Sequence, residues 1–276
     1  MPWVSGVDEI ASETQVSEGW TYAVLPIAAI SAIDTAVSGC GVKTFHGKKF
    51  KENQTSDYEL FLNAIRSELL NHDGAHLTFT LLETTWKNQF LTSTRRIVSG
   101  GLQGAGITDP NAMSIAEHLF PGLATLQRLT SKTPATIMSI EIDSDNVSAK
   151  LALNGVVISG QTIATAKILG FAYEAYRKKL FPSSPQLCSN GICALDDAKS
   201  RAIQAADVFG NFALSYIFVQ LGHPSKSRAL KASIFERVFS NEITPGPIHT
   251  TATLTGPTNN DIQLTQSGGL TLRIGS

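Results

Sequence analysis

Strand-like and helix-like segments alternate through most of this chain, and that alternation limits the available folds more than any other feature. Residues 2–8 are short, rich in strand formers and end in acid, and residues 20–26 read as a second strand. Residues 27–37 either continue that strand or form a helix. Leu60, Phe61, Ala64, Ile65 and Leu69 share one helical face, with Ser56 as N-cap and Glu59 completing a capping box. His76–Glu83 alternates as a strand does. Helices follow over 86–98 and 110–129, the second with Asp109 as cap and Pro110 in its first turn. Residues 136–143 form a strand ending in acid, 161–180 a long helix, and 192–195 a brief strand. The run LDDAKSRAIQAADVFG then opens a helix that reaches about residue 221. The expected class is α/β, a mixed sheet flanked by helices.

After Pro224 the character changes. Residues 227–239 read as one more helix, and the Thr- and Gly-rich remainder as one or two hairpins or an extended arm. This divides the chain into an α/β domain over 1–223 and a C-terminal helix and tail over 224–276. From Ile243 to Ser276 the only charges are Asp261 and Arg273. Its alternating segments would leave strand edges unpaired, so they must pair with the body or with another chain. The simplest expectation is a homo-oligomer in which the tail contacts a neighbour, with the core folding without it.

A chain that is 42% hydrophobic and 16% charged sustains a sizeable core and is not mainly disordered. A net charge of −1 argues against a protein that is basic all over. Local basic patches remain: Lys43, Lys48, Lys49 and Lys51, then Arg95 and Arg96, then Arg177 to Lys179. The cysteines Cys40, Cys188 and Cys193 make neither a disulfide framework nor a zinc site. The N-terminus lacks the basic start and apolar run of a secretory signal. The stretch AVLPIAAISAI is too short to span a bilayer. The expected location is the cytoplasm, without a membrane partner.

The chemistry-bearing feature is a carboxylate in an apolar stripe. At 3.6 residues per turn, Ile203, Ala206, Asp207, Gly210, Leu214 and Ile217 fall on one side of a helix. A lone ionised Asp there is costly unless a positive or hydrogen-bonding group meets it. Asp8 and Asp143 each end a strand, and neighbouring strand ends with a packed helix bring carboxylates together. Crowded carboxylates repel, and a divalent cation, Mg²⁺ or Mn²⁺, resolves the conflict. A satisfied structural Asp is the competing account. Gln204, one turn before Asp207, is a possible hydrogen-bonding neighbour. His46 either orients a water, metal or phosphate or is a hydrogen-bonded surface histidine. Glu83 ends a strand and is a candidate fourth ligand. SGGLQGAG, over 99–106, lacks the ending of a phosphate-binding loop and reads as an inter-helix connection.

VDE at 7–9, FHGKKF at 45–50 and DDAKSRAIQAADVFG resemble the family called domain of unknown function 3800. The resemblance spans roughly residues 3–222, and the last motif is its most specific. It implies an RNase H-like fold and divalent-metal-dependent hydrolysis of phosphodiester bonds in DNA or RNA. By position, Asp8 matches the first acid and Glu9 its neighbour. Asp196 or Asp197 matches the acid before Lys199, and Asp207 the helix acid. Asp143 matches the middle acid, with Asp145 as an alternative. Asp8, Asp143 and Asp207 are thereby implied catalytic metal ligands, with Glu9, Asp196 and Asp197 supplementary. His46, Lys48 and Lys49 face phosphate. The opening VDEIASE departs from the family's IDESG-like turn, and the tail lies outside the match. Both features favour the alternative, a catalytically inactive RNase H-like interaction or assembly protein.

Overall fold

A computed structural model of the chain describes residues 2–11, 17–83, 110–131, 133–144, 159–220, 222–239, 249–251 and 271–275. The alternating periods become one sheet. Strands β1 (Trp3–Ala11), β2 (Ser17–Pro26) and β3 (His76–Glu83) form an antiparallel meander. β4 (Ile137–Asp143) runs parallel to β1, and β5 (Gln186–Leu195) parallel to β4. With β6 (His249–Thr251) and β7 (Thr271–Gly275) the seven-stranded order is β5-β4-β1-β2-β3-β7-β6. The helices are α1 (Ile27–Ala36), α2 (Thr55–Asn71), α3 (Pro110–Thr130), α4 (Ser159–Leu180), α5 (Arg201–Gln220) and α6 (Lys226–Phe239). The expected α/β class holds. Residues 27–36 resolve as helix, and β5 is longer than the strand expected over 192–195. The expected helix over 86–98, the run at 99–106, Arg95, Arg96, Asp109 and Asp145 lie outside the described residues.

Strand alternation sends neighbouring residues to opposite faces of the sheet. On one face α5 crosses β1: a Cβ on Gly6 would lie 2.0 Å from the Ala202 carbonyl oxygen. On the other, α3 meets β2, where the Tyr22 hydroxyl donates to the Gly122 carbonyl at 2.8 Å. α4 packs against α3 and β5.

Helix α5 is long and apolar enough, by length and composition, to cross a bilayer. Here it is the core helix, and every residue from Ala202 to Ala213 is buried. The reason is a second layer. α6 lies along α5 and adds Phe235 and Phe239 to the rings around Phe209. α2 shows a further difference from the local reading. It begins at Thr55 with Gln54 at its N-cap position and no side-chain cap. Glu59 instead accepts from Arg237 of α6, at 3.0 and 3.2 Å.

The chain does not divide in packing at residue 223. Ile234, Phe235, Val238 and Phe239 of α6 and Ile274 of β7 belong to the same apolar core as β1 and β2. β7 pairs antiparallel with β3 and β6 with β7, so these parts of the tail find their partners within the chain. Deleting residues 243–276 is therefore expected to uncover β3 and to take Ile274, which is 1% exposed, out of the core. The side chain alone is worth about 1.5–3 kcal/mol, and a bare β3 edge invites association. Melting temperature should fall and light scattering should report a larger particle. A truncated protein with unchanged melting and unchanged mass would reject this.

Candidate active site

The segment between α1 and α2 lies across α5 and supplies the partners that Asp207 requires. Its Gly47 touches the helix so closely that a Cβ would sit 2.4 Å from Cβ of Asn211. That approach lets the Gly47 N–H donate to Asp207 Oδ2 at 2.8 Å. His46 Nδ1 lies 2.6 Å from the same oxygen, which fixes the ring proton on Nδ1 in the neutral form. Asn211 Nδ2, one turn along α5, donates to Asp207 Oδ1 at 2.6 Å. Asp207 is 4% exposed, so these bonds replace water for both oxygens.

The histidine is held in turn. The Tyr58 hydroxyl accepts from His46 N–H at 3.0 Å and donates to its carbonyl at 2.9 Å. Gln204 does not reach Asp207. Its Oε1 accepts from Phe45 N–H and Arg201, and its Nε2 donates to the Asp197 carbonyl. Arg201 also donates to Asp34 at 2.8 Å. These bonds tie the loop, the turn at 197–199 and α5 into one unit.

The other ring nitrogen of His46, Nε2, lies 3.9 Å from Asp197 Oδ2. The hydrogen bond to Asp207 raises the His46 pKa above its ordinary value, against an opposing effect of burial. Burial, reinforced by Asp196, raises the Asp197 carboxyl. Asp196 moves the other way, lowered first by the Ala198 N–H that it accepts at 2.8 Å. The ammonium of Lys49 is within electrostatic reach of His46, Asp196 and Asp197. Lys48 and Lys49 are both exposed. The sequence expectation thus assembles in part: Asp207, His46, Asp196, Asp197 and Lys49 share one site.

The remaining acids are distributed by strand geometry. Val7 pairs with Ile142, so Asp8 and Asp143, one residue further along each of these adjacent parallel strands, stand level on one face of the sheet. Asp8 shares its face with Gly6, the face α5 covers, and is 5% exposed. Glu9 projects to the opposite face, where Oε1 lies 3.1 Å from Nε2 of His118 on α3. Among the described residues, no three His, Cys, Asp or Glu side chains gather into a group that would hold a metal ion. Asp207 in particular does not fit a shared ligand position, because its oxygens are engaged by His46, Gly47 and Asn211.

Sequence reasoning missed three contributors. Asn211 lies at i+4 from Asp207, a spacing that was legible. Tyr58 and Lys231 were not. Lys231 of α6 is half-buried with its ammonium 6.0 Å from the Phe212 ring centroid. Desolvation lowers its pKa, and the Asp207 charge opposes that shift. No family model matches this chain, and no curated protein matches it.

Proposed function

We propose that this chain is an RNase H-like protein that hydrolyses phosphodiester bonds of nucleic acid at the His46–Asp207 pair. The observation that carries the reading is the 2.6 Å contact between His46 Nδ1 and Asp207 Oδ2, which leaves Nε2 turned toward Asp197. The order β3-β2-β1-β4-β5, with an antiparallel meander followed by parallel strands, supports the fold that the sequence motifs imply.

Two groups with environments that shift their pKa values at one site suit acid–base chemistry. Protonated His46 donates from Nε2 to the leaving oxygen as the phosphorus–oxygen bond breaks. The attacking water forms the new bond to phosphorus and gives a proton to the Asp197 carboxylate. Lys49, with Lys48 beside it, draws the phosphate charge toward the site. The metal that the motifs imply does not fit Asp207 as arranged, and no step is assigned to it.

The test is cleavage of labelled single-stranded and duplex DNA and RNA by the full chain, with and without Mg²⁺ or Mn²⁺. His46→Ala should lower the rate about 10²–10⁴-fold. The rate should fall at low pH as Asp197 protonates and at high pH as His46 deprotonates. Cleavage indifferent to His46→Ala, or no cleavage of any substrate, sinks the proposal. A second reading, an inactive assembly protein, draws on the complete hydrogen bonding of Asp207. It expects no cleavage of any of these substrates.

A further inference from the structure

On the side of the sheet away from His46, α4 and β5 flank an open groove of about 570 Å³, within the size range of small-molecule sites. Its wall on β5 comes from an irregularity. The register with β4 runs Met138 to Leu187 and then Ile140 to Ile192, so residues 188–191 leave the strand line. Gly191 turns this excursion at φ 59°. The outer edge of β5 is thereby broken, which disfavours an added peptide strand and leaves room for a compact ligand.

The wall on α4 carries an aromatic ring between two cations. Phe171 is 51% exposed, large for an aromatic side chain on a helix that otherwise buries Ile168, Leu169, Ala172 and Tyr173. A Cβ on Gly170 would lie 3.9 Å from Leu187 Cδ1, so an apolar surface continues from the ring to β5. Lys167 and Lys178 line the groove and are exposed. Among the described residues, the one carboxylate lining the groove, Glu174, is engaged. One oxygen accepts from Arg177 Nε and the other from Leu187 N–H, each at 2.9 Å. The charge left to meet a ligand is positive, beside a flat apolar platform.

We propose that this groove binds a nucleoside phosphate. The base stacks on Phe171 against Leu187, and the phosphate is held by Lys178. Stacking on an exposed ring combined with nearby cations is the chemistry that recognises a base and its phosphate together. This inference does not depend on cleavage at His46.

Isothermal titration of the full chain with AMP, adenosine and inorganic phosphate tests it. AMP should bind more tightly than either part alone. Phe171→Ala, at an exposed position, should keep the melting temperature and weaken AMP about tenfold, the effect expected for loss of stacking. Lys178→Ala should weaken AMP while leaving adenosine unchanged. The proposal is overturned if AMP shows no heat at millimolar concentration. It is also overturned if phosphate alone binds as well as AMP, if Phe171→Ala leaves the affinity unaltered, or if only a single-stranded oligonucleotide binds.

Discussion

Gly6→Ala is expected to destabilise the protein by about 3 kcal/mol or more, the upper range for an overpacked core. The added methyl would stand 2.0 Å from the Ala202 oxygen and 2.1 Å from its carbonyl carbon. These are backbone atoms of a buried helix, so no side chain can turn aside to admit it. α5 must lift from β1, and its lift carries Asp207 away from His46 and Gly47. The matched control is Gly39→Ala, where nothing lies within 4 Å of the new Cβ. Denaturant unfolding of both variants checks the claim. A Gly6→Ala midpoint equal to that of Gly39→Ala would show that the contact between α5 and β1 is not tight.

Asp207→Ala should cost about 3–5 kcal/mol, the range for removing one partner of a buried charged pair. It strands His46 Nδ1–H and Gly47 N–H at once, and leaves Asn211 Nδ2 only the carbonyl of residue 207. Asp207→Asn keeps one acceptor and should cost less, about 1–3 kcal/mol. This is opposite in sign to the relief of repulsion expected for crowded carboxylates. The pH dependence adds an independent mark. The folded pKa of His46 is raised, chiefly by its bond to Asp207. The charge-assisted part of that bond is fully present below about pH 6.5, the unfolded value. It fades as pH rises through the higher folded value. The deficit of Asp207→Asn against wild type should therefore be larger at pH 6 than at pH 9. A deficit that stays constant or grows with pH would remove His46 as the partner that matters.

What local sequence determined here is what local periods encode. Alternation marks β3, and a 3.6-residue period marks α2 and α5, because side-chain direction follows backbone geometry alone. The same period 2 puts Asp8 and Glu9 on opposite faces, although motif position alone groups them as neighbours. The need of Asp207 for a partner was also legible, since burying a carboxylate alone is costly wherever it happens. The identity of that partner was not. Gly47 and Asp207 are 160 residues apart in sequence, and only the path of the segment after α1 brings them together. Glu59 shows the same limit. Its spacing from Ser56 reads as a capping box, yet an arginine 178 residues away takes its carboxylate. The tail shows it again, for alternating residues announce a strand that needs an edge without saying whose. Tertiary structure supplied β3 of the same chain, and placed α6 over the far side of α5 so that no side of Ala202 to Ala213 faces water. Local pattern sets which groups must be buried or paired, whereas the partner is chosen by distant chain segments whose approach depends on the whole packed core.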